Sequence, residues 1–354
     1  MYVKKRFPIY GMLLWTRWEA IVFLILPSII VALHVFFEFH FLKVPWTPVA
    51  LIGTAVAFII GFQNSAAYGR IWEARKIWGG IVNTSRTWGM KTRDMVNNDH
   101  TKNPVSEEEL RQIHETLVYR HIAWLTTLRH AMRSSRSWEV FSESRTNKEW
   151  ARNVHIPEKL VSLDDDLFQY LSAEESDYIM TKKNKSAALL YQQSKHIRTL
   201  KEQGLIWEFS FLELENLLEE MFTLQGKSER IKNFPYPRQY ATLSYYFVWI
   251  FILLLPLGLV PEFSSIADSV VGEYEGVIKR YFIWLAVPFC GIVSWVFHTM
   301  MRIGTVGENP FEGSANDVPI STIARGIEID LRQMMDEDEE FIPRQFPEEF
   351  DVQM

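Results

Sequence analysis

The chain has 354 residues, 48% of them hydrophobic and 14% aromatic, with a formal net charge of −6 and a single cysteine. That charge excludes a strong attractive field for nucleic acid. A lone Cys290 excludes a disulfide framework or a cysteine-built metal site within one chain, and in an apolar run it reads as a small buried hydrophobe.

The N-terminus, MYVKKRFPIYGMLLWTRW, lacks a signal-peptide cleavage pattern, so the apolar run behind it reads as a retained anchor. Residues 1–19 are expected to be a cytosolic lead-in. Ala20–Phe39 is the first membrane candidate, with the length of about 20 residues that a bilayer core requires. Pro27 is expected to kink it, and Glu38 and His40 sit at its outer end. The second candidate, Trp46–Gly69, is strongly apolar from Pro48 to about Phe62. It then runs without a proline break into GFQNSAAYGRIWEARKIWGGIVNTSRTWG. There Arg70, Glu73, Arg75, Lys76 and Arg86 interleave with Trp72, Trp78 and Trp88. A helix that begins in lipid and ends in a charged, Trp-rich layer should be buried against other protein.

Residues 70–242 read as a cytosolic helical region. Ser106 followed by acidic residues starts a helix at Glu107–Arg133, with apolar residues at helical spacing. Leu205–Leu224 repeats that pattern. Phe234-Pro235-Tyr236-Pro237 breaks the helices before the membrane is re-entered. The third span is expected at Leu243–Val260 and the fourth at Tyr281–Met301, with Pro288 mid-span, so that residues 243–301 hold transmembrane helices 3 and 4 and residues 20–69 hold helices 1 and 2. Lys4, Lys5, Arg6, Arg17, Arg70, Arg75, Lys76, Arg230, Lys232, Arg238 and Arg302 flank the spans on one side. The loop 261–280 carries Glu262, Asp268, Glu273 and Glu275 against Lys279 and Arg280. By the positive-inside rule both termini are cytosolic in a multi-pass protein of the cell (inner) membrane. Residues 302–354 comprise a polar link, an amphipathic helix at Ile320–Met335 and an acidic tail expected to be extended or disordered. That tail reads equally as a plug, a subunit strap or a passive end.

Signals for bond chemistry are poor. The histidines lack HExxH spacing, and His114, His121 and His130 read as polar faces of one helix. Gly79-Gly80 reads as a close helix-packing point, and Glu73 with Arg75 and Lys76 as a structural ion-pair layer. The expectation is no enzyme, no cofactor and no metal. Thr54, Phe58 and Phe62, at i, i+4 and i+8, share one helix face. Gln63, Asn64 and Ser65 follow, and polar residues in a span usually face protein or a water-filled cavity. One helix cannot enclose a pore, but a cyclic homo-oligomer would set identical residues in rings. Rings of Phe make a constriction that gates by dewetting, and their positive edges favour an anion.

At these residues the chain resembles the bacterial branch of the bestrophin family. The resemblance lies in GFQNSAAYGRIWEARKIWG (residues 61–79), FPYPRQY (234–240) and ENPFEGSANDVPISTIARGIEID (308–330), and with the four-span layout it covers nearly the whole chain. It implies an all-α membrane protein with four transmembrane helices and a cytosolic helical body, assembled as a cyclic pentamer around one axial pore. Carried over, the pore neck is Thr54, Phe58 and Phe62. Thr54 stands where the family usually has an aliphatic residue, so the outermost ring is expected to be wetter. Aligned through LENLLEEMFTL, the family's cytosolic aperture falls near Leu212. The calcium clasp of animal members keeps only Glu312 and Asp317 as carboxylates, too few for a site of about six to eight oxygens. The resemblance therefore implies passive conductance, with chloride favoured as the permeant ion. The alternatives are a sodium-selective channel and a non-conducting membrane-anchored scaffold.

Overall fold

The computed structural model describes residues 1–39, 41, 43–139, 144–150, 152–270 and 277–354, with backbone alone at 270, 277 and 279. His40, Glu273, Glu275 and the Lys279 side chain, invoked above, lie outside the described residues. Among the described residues the chain is all-α, and extended structure is limited to isolated bridges such as Tyr2 with Val352.

A short helix α1 (Ile9–Trp15) turns at Thr16 into α2 (Arg17–Phe36), which passes unbroken through Pro27. Helix α3 (Trp46–Met95) follows; its 50 residues extend about 75 Å, far more than a bilayer core of about 30 Å. Pro48 falls in its first turn, where a missing N–H is harmless. The next body consists of α4 (Glu107–Arg133), α5 (Arg145–Trp150), α6 (Pro157–Leu160), α7 (Leu163–Leu167), α8 (Ala173–Met180), α9 (Lys185–Glu202) and α10 (Glu208–Asn233). Its starts are written locally. Ser106 Oγ accepts from Glu109 N, Ser172 from Glu175 N and the Asn184 side chain from Ala187 N, each relieving an orphan donor of a helix N-terminus. The chain closes with α11 (Arg238–Val270), α12 (Val277–Trp284), α13 (Ala286–Gly307) and α14 (Ile320–Met334). Pro288, expected mid-span, lies in the first turn of α13, because the helix breaks at Leu285.

Among the described residues, four helical stretches are long and apolar enough to cross a membrane: α2, α3, the run from Arg238 to Ser269, and the run from Arg280 to Gly307. They pack on one another, with α13 against α3 and α2, and α11 against α3, α13 and α2. Phe23, Val56, Ile60, Phe251 and Cys290 form their shared core. A second core gathers the lower half of α3 with α4, α9, α10 and α14. Trp78, Trp88 and Trp124 are fully enclosed there. Trp124 Nε1 donates to Gln225 Oε1 at 2.9 Å and Trp88 Nε1 to the Leu117 carbonyl at 3.3 Å, so two of the three indole handles stay paired on burial, while Trp78 Nε1 is buried without a partner among the described residues. Trp72 departs from the expected burial and stays half exposed, stacked with Tyr68.

Two further expectations change. His114 and His121 do not lie on a polar face; they are buried. The His114 ring pairs with the Val96 carbonyl at 2.8 Å, and burial pushes His121, between Trp88 and Trp124, down to about 3. Periodicity missed them because α4 is covered on most sides. The tail after α14 is non-helical but docked. Val352 and Met354 are buried with Val154 and Ile156, Arg325 lies over Phe346, and Thr322 N donates to the Met354 carbonyl. Its spaced apolar residues find pockets that a count of charge and proline does not reveal.

Candidate functional site

Helix α3 packs α11 and α13 at one end and α10 and α14 at the other, yet one of its faces is left uncovered over most of its length. Positions 54, 58, 62, 65, 69, 72, 76, 79, 83, 86 and 90, separated by steps of three or four residues, are all exposed. That spacing follows one side of a 3.6-residue helix for about 54 Å. The residues change character along it: Thr54, Phe58 and Phe62, then Ser65 and Gly69, then Trp72, Lys76, Gly79, Asn83, Arg86 and Met90. The intervening positions Val56, Ile60, Gln63, Ala67, Ala74 and Trp78 are buried.

The site residues expected from sequence fall on this face. Phe58 and Phe62 are 68% and 63% exposed, their rings edge to face at 4.9 Å. Thr54 is exposed, and its hydroxyl donates back to the Ala50 carbonyl at 2.9 Å. Ser65 joins them on the open face, whereas Gln63 points the other way, into protein. Gly79 was expected to be a packing point, but a Cβ there would meet nothing within 4 Å. Gly80 fills that role, since its Cβ would approach Leu224 at 2.9 Å. Of the expected ion-pair layer, Glu73 binds Arg230 of α10, while Arg75 and Lys76 are exposed and form no ion pair among the described residues.

Helix α10 runs antiparallel beside α3, tied by Glu73 to Arg230 at one end and by Lys91 to Glu213 (2.6 Å) at the other. Leu212, half exposed, therefore sits level with position 91 of α3, about 44 Å along the helix from Phe62. The two expected constriction points are thus far apart, on neighbouring helices.

Behind the open face lies a knot that periodicity did not single out. Glu308, fully buried at the end of α13, accepts from Gln63 Nε2 at 2.9 Å and from Arg238 Nη1 at 3.2 Å. Its backbone carbonyl accepts from Arg70 Nε at 2.7 Å, and Arg70 also donates to the Ile231 and Phe234 carbonyls at 2.8 and 3.0 Å. Burial pushes the Glu308 carboxyl above the ordinary range, while Gln63 and Arg238 pull it back. This knot joins the three motif segments 61–79, 234–240 and 308–330 at one point beneath Phe62. The only hint in the sequence was the placement of polar residues at the end of an apolar run.

The turn after α13 is equally closed. Gly313 has φ +98°, and a Cβ there would meet Ile156 at 2.3 Å, so glycine is required. Asp317, buried, accepts from Gly313 N at 2.7 Å and from Ser314 N at 3.0 Å. Arg133 Nη1 donates to the Phe311 carbonyl at 3.1 Å from α4.

These features define a multi-pass membrane protein built around one long helix that keeps a face open from its apolar half into its charged half. The chain belongs to the bestrophin family: the family model for bacterial and fungal bestrophin proteins matches residues 12–272. Among curated relatives, the voltage-dependent anion channel-forming protein YneE of Escherichia coli is 23% identical over 84% of this chain and 79% of its own length. A voltage-dependent anion channel-forming protein of Ralstonia nicotianae is 26% identical over 82% of this chain and 78% of its own length. The crystal structure of a bacterial bestrophin homolog from Klebsiella pneumoniae has the same fold, with a TM-score of 0.71 at 21% identity over 91% of this chain and 99% of that one.

Proposed function

We propose that this chain is the subunit of a pentameric anion channel with one axial pore, and that the open face of α3 lines it. The observation that carries this is the continuity of that face. A helix facing lipid needs apolar side chains and no more, yet this face holds Thr54, Ser65 and Gly69, and it stays uncovered well past the apolar half. Five copies around an axis would cover it with one another and leave a lumen. The naming of relatives as anion channel-forming proteins supports the choice of ion.

Under this reading Thr54, Phe58 and Phe62 form three rings of a neck about 12 Å long. Anions shed part of their hydration shell there against phenyl edges. Leu212 forms a second constriction at the far, cytosolic end. Residues 20–69 and 243–301 carry the spans, and residues 1–19, 70–242 and 302–354 lie in the cytosol. The pairing of Tyr2 with Val352 supports both chain ends on one side.

The test is the reversal potential of purified protein in planar bilayers under an NaCl gradient, with native mass measured in detergent. Reversal near the chloride equilibrium potential, from a particle of five copies, is the expected result. Reversal near the sodium potential would refute the anion assignment, and a monomer without current would refute the channel.

A further inference from the structure

We propose that α1 and the basic residues around it form a binding surface for anionic phospholipid on the cytosolic leaflet. The inference rests on the membrane topology proposed above and adds a ligand to it.

None of the seven residues of α1 is buried. Ile9 and Tyr10 are about 70% exposed, and Leu13, Leu14 and Trp18 are exposed beside them. A contiguous apolar patch of this kind marks an interaction surface. Its depth is set by Arg302, at the end of the last span. Arg302 Nη1 donates to the Trp15 carbonyl at 2.8 Å and to Glu19 at 3.0 Å, and the guanidinium stacks on the Trp15 ring at 4.4 Å. Trp295 of α13 also donates to Thr16 Oγ1 at 2.8 Å. Helix α1 is thereby fastened at the level where α13 leaves its apolar stretch. Its open side chains continue directly into the exposed Ile21, Val22 and Ile25 of α2, so the occupant of the α1 face is the lipid that surrounds α2.

The charge around that face is positive. Helix α5 is held beside α1 by Asn147, which accepts from Trp15 Nε1 at 2.9 Å, and by Thr146 against Arg302. Arg145 of α5 lies 4.2 Å over the Trp18 ring. Among the described residues the nearby carboxylates are engaged: Glu149 pairs with Arg17 and Arg145, and Asp351 with Lys4. Lys5, Arg6, Lys148 and Arg152 remain exposed and form no ion pair among the described residues. An apolar helix lying at the interface, rimmed by unpaired basic side chains, fits acidic headgroups above and acyl chains below. Zwitterionic lipid satisfies the apolar part but leaves the four cations without counter-charge.

The experiment uses the full-length protein in mixed micelles of equimolar phosphatidylglycerol and phosphatidylcholine, repurified and assayed for bound lipid by mass spectrometry. The wild-type protein is expected to enrich phosphatidylglycerol about tenfold. A variant carrying Lys5→Gln, Arg6→Gln, Lys148→Gln and Arg152→Gln should lose most of that enrichment while retaining phosphatidylcholine; all four residues are exposed, so its fold is little affected. Tyr10→Ser with Leu13→Ser should lower the retention of both lipids. Equal binding of the two lipids by the wild-type protein, or enrichment unchanged in the quadruple variant, overturns the proposal. Chloride flux of the same protein after reconstitution in vesicles separates this from the channel assignment: flux without enrichment removes the lipid surface alone, and enrichment without flux removes the channel alone.

Discussion

Replacing Phe58 or Phe62 by alanine separates a lining role from a packing role. Phe58 is 68% exposed in the protomer, so about a third of its roughly 200 Å² is covered. At about 25 cal/mol per Å² that burial is worth about 1.6 kcal/mol. The enclosed Trp78 stands at the other extreme, where truncation to alanine costs about 3–5 kcal/mol. Either Phe variant should therefore fold and assemble. The loss should appear in permeation. A ring quadrupole is worth about 0.5–1 kcal/mol against a cation over its face at an exposed site; an anion at the positive edge meets the opposite pole of the same quadrupole, and a contribution of that order converts to roughly two- to fivefold in permeability ratio. Phe58 and Phe62 also touch edge to face, so the two effects should not add independently. The assay is bi-ionic reversal potential and unitary current of each single variant and of the double variant, with oligomer mass as the control for assembly. Wild-type conductance and chloride-to-sodium ratio in both single variants, with the oligomer intact, would refute the assignment of this face to the pore.

Leu212→Ala should raise macroscopic current while leaving the permeability ratio near wild type, because it lies about 44 Å from Phe62 along α3; a shifted ratio would place selectivity at the far end. Gly89→Ala sets a Cβ 2.5 Å from the buried Leu331 Cδ2 and 3.2 Å from Met334 Sδ, an overpacking cost of about 1–3 kcal/mol that outweighs the helix-propensity gain of about 1 kcal/mol. Gly79→Ala meets nothing within its own protomer and, facing the proposed lumen, should keep that gain, so the two variants should move the unfolding midpoint in detergent in opposite directions. Glu158, whose side chain is fully covered, binds Arg129 at 2.7 Å, lies 3.7 Å from Arg133 and accepts from Ser321 at 2.9 Å; Glu158→Gln should cost about 3–5 kcal/mol by stranding a buried guanidinium. Although burial alone would raise it, Arg133 and Arg129 hold the Glu158 carboxyl below its ordinary value of 4.5. Its stabilisation is therefore complete above that value and is lost as pH falls through the lower folded-state value. Melting temperature should hold from neutral pH down to the ordinary value of 4.5 and fall at lower pH, and a Glu158→Gln protein should show a shallower drop.

Much of this architecture is local, and so the sequence alone determined it. The length and apolarity of four runs, the Ser106 cap of α4, the start of α14 at Ile320 and the shared face of Thr54, Phe58 and Phe62 all follow from helical period and capping chemistry within a few residues. Tertiary structure alone decided which face of α3 the other helices leave open, because covering depends on where α10, α11 and α13 return from positions more than a hundred residues away. The same holds for Gln63, which could have faced a cavity but instead meets Glu308, and for His114 and His121, buried because α4 is enclosed by elements distant in the chain. The docking of Val352 and Met354 beside Ile156 is of this kind as well. Period and composition report how one helix divides its own surface. They do not report which neighbour arrives to cover it, and that arrival is what separates a lipid face, a core face and a face left for ions.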